Sequence, residues 1–292
     1  MSAVASYAPS PIRRRRSKCD MELVRNGLIE ILEDEHPMSV RQVFYQAVTH
    51  DLVDKTEAEY KQTVVRLLSE LRRSRVIPFD YVADSTRWMR KPRTHASMEA
   101  ALQLTAQTYR RALWLDSDVV VEIWLAKDAL AGVLYPITAE FDVPLMVTRG
   151  YPSLTFVQGA AAEYESDDRD VYIYYFGDWD PSGRDIARVV EQGLREWAPN
   201  TNIVFTRVAV NENQIAEWQL PTRPTKTSDT RSKTFQGESV EVDAIAPDDL
   251  RYLARVCIES HLNQEILAAH QATEDLERET LQRFVETFRG AR

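Results

Sequence analysis

The chain has 292 residues, 44% of them hydrophobic and 28% charged, which suits one large water-soluble domain or two ordinary ones, each with a core. No apolar run reaches the length of a membrane span, and the N-terminus lacks the apolar centre of a leader peptide. The net charge of −9 argues against a nucleic-acid binder as a whole, yet it divides unevenly: 17 Lys and Arg against 13 Asp and Glu in residues 1–93, then 19 against 32.

A basic front and an acidic remainder fit a module that meets a polyanion joined to one that holds cations; the alternative is two solvated faces. Cys19 and Cys257 are the only cysteines, too few for a disulfide framework or a zinc site, so a reducing cytoplasm is expected.

Residues 1–20 read as a disordered basic arm carrying "RRRRSK" at 13–18. From Met21, Val24, Leu28, Ile31 and Leu32 recur at helical spacing. "PMSVRQVFYQAV" carries a start signal, with Ser39 and Gln42 as a capping pair and Met38 and Val43 placed as a hydrophobic staple. A third helix opens with Thr56 and Glu59 as its capping pair. It buries Tyr60, Val64, Leu67, Leu68 and Leu71 and leaves Lys61, Arg66, Arg72, Arg73 and Arg75 to solvent. "RVIPFDYVAD" (75–84) reads as short strand material around Pro78. Three helices, the third basic, followed by β-structure predict a winged-helix domain over 21–93 with Arg66, Arg72 and Arg73 facing DNA. The alternative is a small helical bundle with a charged face.

Residues 94–116 predict a connecting helix, after which strands and helices alternate. "DVVVEIWLA", "VPLMVTRG", "DVYIYYFG" and "NIVFTRVAV" read as strands, and "KDALAGVLYPITAEF", "TFVQGAAAEY" and "PSGRDIARVVEQGLREW" as helices. That alternation predicts an α/β domain over 117–250 with a mostly parallel sheet covered on both faces. "LPTRPTKTSDTRSKTFQGES" is a polar loop, and "VEVDAI" reads as one more strand. Residues 251–292 are read as amphipathic helices whose apolar stripes, with Ile266, Leu267, Leu281, Phe284, Val285 and Phe288, serve core or dimer packing.

The chemistry concentrates in "GDWDPSGRDI". Asp180 before Pro181 suits a helix N-cap, which leaves Asp178 unexplained. Residues two apart in an extended segment point the same way, so both carboxylates would converge on one spot. Like charges that close repel unless a cation neutralises them, and hard oxygens at this spacing suit Mg²⁺ or Mn²⁺.

In this strand-DxDPxG-helix context the segment resembles the aspartate motif of the Toprim fold, in the form found in the A subunit of topoisomerase VI and the meiotic double-strand-break proteins. Those proteins join a winged-helix domain to a Toprim domain in this order, and the resemblance spans roughly residues 21–250. "TRGYPS" resembles the family's glycine-bearing turn, "VEVDAI" its late strand with an acidic residue, and "VRQVFYQA" its Arg-x-x-Tyr-Tyr segment. Carried over, Arg41 matches the arginine, Phe44 the first aromatic and Tyr45 the catalytic tyrosine.

The resemblance implies a DNA-cleaving transesterase. Tyr45 would attack the phosphodiester with Arg41 at the phosphate, Asp178 and Asp180 holding Mg²⁺, and Lys127 near the DNA. It also implies a homodimer in which the tyrosine of one protomer serves the other's Toprim site, a separate ATPase chain for strand passage, and a nucleoid-associated location. One position departs from the pattern. The family's first Toprim strand ends in Glu-Lys and an acidic residue, whereas "WLAKDAL" puts Ala126 at the glutamate position. Glu122 lies roughly 13 Å back along the strand, too far to replace it. The general acid/base is therefore expected to be lost at Ala126, by an engineered change or a natural one. Two other readings stand beside the first. One is a Mg²⁺-dependent hydrolytic Toprim nuclease of plasmid or phage defence, which needs no tyrosine; the other is a catalytically dead DNA-binding protein.

Overall fold

The computed structural model describes residues 17–83, 92–224, 235 and 238–290. Most of the basic arm and the segment 84–91 lie outside the described residues.

Helix α1 (Lys18–Asp34) opens on a capping box between Ser17 and Asp20 and buries Val24, Leu28, Ile31 and Leu32. Helix α2 (Val40–Thr49) starts from the expected Ser39–Gln42 capping box, with Met38 and Val43 both fully buried beside it. The third helical run is interrupted. After α3 (Glu57–Glu59), capped by Thr56, a π-helical turn over Tyr60–Val64 leads into α4 (Val65–Arg73). Val64, Leu67, Leu68 and Leu71 are buried and Arg66 and Arg73 are exposed, as the periodicity predicts.

The strand expected over 75–84 is not formed in its described part, 75–83. Pro78 has no N–H to give a ladder and Arg75 takes a φ of 58°, so the chain turns through a 3₁₀ turn at Phe79–Tyr81. A single bridge joins Val82 to Met38, and the His36 and Tyr81 rings stack at 3.8 Å. The connecting helix is shorter than expected: α5 spans Met98–Thr108 and packs along the C-terminal helix.

Strands β1 (Val119–Leu125), β2 (Leu145–Val147), β3 (Asp170–Phe176) and β4 (Ile203–Ala209) form one parallel sheet in the order β2-β1-β3-β4. They are joined through α6 (Ala131–Glu140), α7 (Leu154–Glu165) and α8 (Pro181–Trp197). A short α9 (Glu212–Glu217) follows β4. "VEVDAI" gives no strand; Val240 makes one antiparallel bridge with Trp179, and a 3₁₀ turn follows at Val242–Ala244. The chain ends in α10 (Pro247–Glu259) and α11 (Gln264–Gly290). No helix among the described residues is long and apolar enough to cross a membrane.

Strand alternation divides the core. Trp124, Ile173 and Tyr175 face Val157, Ala161, Ile186 and Val190 of α7 and α8. Val121, Ile123 and Leu125 face the other way, into a cluster running unbroken from Val24, Leu28 and Leu68 to Leu250 and Ile258. The N-terminal helices and the sheet therefore share one apolar core.

Candidate functional site

The chain goes from β1 outward to β2 and then back across β1 to β3, so connections leave the sheet in opposite directions between β1 and β3. Ligands of open parallel sheets settle outside the carboxyl ends at such a point. Leu125 pairs with Phe176 in register, which sets Lys127 and Asp178 side by side, two residues beyond their strands.

Lys127 Nζ is the centre of the site. It lies 2.6 Å from Asp243 Oδ2, 3.1 Å from Asp178 Oδ1 and 3.2 Å from Glu241 Oε2. Burial opposes its charge, but Asp243, Asp178 and Glu241 outweigh that and hold its pKa above the ordinary lysine value. Asp178 also accepts from the Val242 backbone N–H at 2.8 Å. Burial, with Asp243 and Glu241 nearby, raises the Asp178 pKa against the pull of Lys127 and that N–H. For Glu241 burial works upward too, yet Lys127, Arg223 and Arg41 prevail and lower the pKa.

Asp180 does not join Asp178 on a shared point. Its Oδ1 accepts from Gly183 N at 2.7 Å as the N-cap of α8, and its Oδ2 lies 3.4 Å from Arg223. Arg223 reaches Glu241 at 2.6 Å with its other terminal nitrogen. The two aspartates are linked through cations and Glu241, and Asp178 meets Glu241 and Asp243 where the sequence suggested Asp180.

Gly183 and Arg207 hold this loop. A Cβ on Gly183 would overlap the Asp178 carbonyl oxygen, so the first turn of α8 closes against Asp178 only with glycine there. Half-buried Arg207 donates to Val210 O (2.9 Å), Gly177 O (3.0 Å) and Gly183 O (3.2 Å), and to Asp178 O. Burial lowers its pKa.

Helix α2 closes the crevice from above. The Ser39 hydroxyl donates to Asp243 Oδ1 at 3.2 Å, and Arg41 Nε stands 3.8 Å from Glu241 while its guanidinium lies 4.1 Å over the Tyr60 ring. Tyr45 is 3% exposed, and its pKa is pushed well above the ordinary value by burial and Glu241, against Arg41, Lys127 and Arg223. Lys55 lies 5.3 Å from the Tyr45 ring centroid, donates to Thr222 O, and has its pKa pushed down to about 8, first by burial. Through Ser39 and Arg41, the helix that carries Tyr45 thus lies on the acids of its own chain, whereas the resemblance implies a partner's tyrosine.

The other expected residues lie apart from this centre. Ala126 is 8% exposed, donates its N–H to Phe176 O, accepts from Gly150 N, and packs its methyl in the cluster under α7 and α8. Glu122 is buried on that side too, accepting from Trp124 Nε1 at 2.7 Å and from the Tyr164 hydroxyl. Arg66 pairs with Glu70 at 2.8 Å, Arg72 donates to Leu68 O at 3.2 Å, and Arg73 is exposed on α4. Lys127, expected near DNA, is taken up by three carboxylates. Glu241, Asp243, Arg223, Arg207 and Lys55 were not singled out as site residues. The Glu-x-Asp spacing of "VEVDAI" repeats that of "DWD" and was the available signal; the arginines and Lys55 carried none.

The carboxylates offer the hard oxygens that Mg²⁺ takes, but their arrangement does not fit a divalent ion. The point where three of them meet is filled by an ammonium at 2.6–3.2 Å, longer than the roughly 2.1 Å of magnesium ligands. Among the described residues no group of three or more His, Cys, Asp or Glu is arranged to hold a metal.

No protein-family model matches this chain, and no curated protein does.

Proposed function

We propose that the chain acts on DNA, through a winged-helix-like N-terminal unit and a Toprim-like α/β unit, as a phosphodiester-cleaving protein resembling the topoisomerase VI A subunit. The observation that carries this reading is that α2, which bears Arg41 and Tyr45, lies on the acidic cluster: Ser39 donates to Asp243, Arg41 stands 3.8 Å from Glu241, and both acids share Lys127 with Asp178. In the transesterification reading, the Tyr45 oxygen bonds to phosphorus as the bond from phosphorus to the 3′-oxygen breaks. The phenolic proton goes to solvent or an acceptor, and the 3′-oxygen gains one. Arg41 supplies positive charge to the phosphate. The resemblance implies Mg²⁺ or Mn²⁺, but Lys127 holds the centre. Arg66, Arg72 and Arg73 on α4 would meet the DNA backbone, and a homodimer would cut both strands.

The burial of Tyr45 and its raised pKa favour hydrolysis by water as the second reading, since a buried neutral phenol is a poor nucleophile. The absence of a carboxylate at Ala126 favours the third, a DNA-binding protein without cleavage. Ala126→Glu, alone and with Tyr45→Phe, separates them on supercoiled plasmid with Mg²⁺. Cleavage with a covalent protein–DNA adduct, both lost in the double variant, supports transesterification. Cleavage retained in the double variant supports hydrolysis. DNA binding without cleavage by Ala126→Glu leaves the third reading, and absence of DNA binding overturns all three.

A further inference from the structure

We propose that the Lys127 ammonium is the resident cation of the acidic cluster and keeps divalent ions out of it. The proposal takes from the preceding reading only the place of the cluster, and ion binding tests it whether or not the chain cleaves DNA.

Three carboxylate oxygens surround Nζ at 2.6, 3.1 and 3.2 Å, and an ammonium has three N–H donors to give them. Four of the five remaining oxygens are engaged as well. Asp243 Oδ1 takes the Ser39 hydroxyl, Glu241 Oε1 takes Arg223, Asp180 Oδ1 caps α8, and Asp180 Oδ2 faces Arg223. Seven of the eight oxygens of Asp178, Asp180, Glu241 and Asp243 thus have a partner within the chain. Six-coordinate magnesium would have to strip several of these partners and then sit a few ångströms from an ammonium.

Charge points the same way. The four carboxylates face Lys127 and Arg223, and Arg41, shared with exposed Glu57 at 3.5 Å, adds positive charge 3.8 Å from Glu241, so much of their charge is already met within the chain. Lys127→Met removes the ammonium with little change in volume and leaves the carboxylates facing an uncharged methyl. The cluster then carries one more unbalanced negative charge, with the place of Nζ itself vacated.

The test is Mn²⁺ binding to the full-length chain, read from the electron paramagnetic resonance signal of free Mn²⁺. The wild type is expected to show no saturable site in the micromolar range, and Lys127→Met to bind at least about tenfold tighter. Adding Asp178→Asn to that variant should cancel the gain, which assigns it to this cluster. Saturable micromolar binding by the wild type overturns the proposal, as does a Lys127→Met protein that binds no tighter. Should Lys127→Met fail to fold, the wild-type melting temperature decides: indifference to both chelator and added Mg²⁺ supports a resident lysine, and a saturable rise with Mg²⁺ overturns it.

Discussion

Ser39 and Asp243 stand 204 residues apart in sequence, and the serine hydroxyl donates to the aspartate across 3.2 Å. Through this contact and the Arg41–Glu241 pair, α2 lies on the acidic cluster of its own chain. In a background with Cys19 and Cys257 changed to serine, Ser39→Cys with Asp243→Cys should be bridged within one chain by a short thiol crosslinker. Denaturing electrophoresis and peptide mapping should find a monomer with an internal link; a crosslinked dimer as the main product would place α2 on a partner instead.

Asp243 is 2% exposed and takes both Lys127 and Ser39, so its charge is buried but paired. Asp243→Asn keeps the shape and removes the closest negative charge from a partly buried ammonium. Breaking such a pair from one side costs about 3 kcal/mol, more than an exposed ion pair contributes. Urea unfolding at unchanged m-value measures it; a loss under about 1 kcal/mol would mean the cluster holds Lys127 without this residue.

Arg207 ties the Gly177–Asp178 turn, Gly183 and Val210 together through carbonyl oxygens alone. Arg207→Met leaves those oxygens without their donor and should cost about 3 kcal/mol, while Arg207→Lys recovers only part, because an ammonium lacks the planar fork that reaches several acceptors. Equal stability of the lysine variant and the wild type, by urea unfolding, would refute the fork argument.

Glu122 gives a pH signature. Burial raises its pKa against the donors Tyr164 and Trp124. A carboxyl whose folded pKa is raised binds its proton more tightly in the native state. Its contribution is therefore present below the unfolded value and lost as pH rises through the folded one. Glu122→Gln keeps an acceptor for both donors and has no charge to bury, so its melting temperature should gain on the wild type from acidic to neutral pH. Parallel curves for the two proteins would show that Glu122 does not titrate in this range.

Much of the architecture was legible in local patterns. The capping box at Ser39, the Thr56 cap, the burial of Met38 and Val43, and the alternation of four strands with three helices all depend on near neighbours, and each formed close to its expected place. Failures came where a local pattern needed a distant partner. "RVIPFDYVAD" and "VEVDAI" look like strands, but a strand exists only with a neighbour to pair with, and these found one bridge each. The site divides in the same way. Asp180 as a helix cap is a local fact, readable from Asp-Pro and Gly183. The partners of Asp178 are not, because Lys127 comes from the end of another strand and the Val242 N–H from a segment 64 residues on.

By itself, then, the sequence determined a parallel α/β sheet preceded by helices, and an acidic turn at the end of its third strand. Periodicity and capping act within a few residues, so they can be read along the chain. Only the tertiary structure decided what stands opposite those acids: Lys127 in their centre, Arg223 and Arg41 beside them, and Tyr45 from the chain's own second helix. Buried charge is neutralised by whichever opposite charge folding brings within a few ångströms, and spacing along the chain carries no record of that choice.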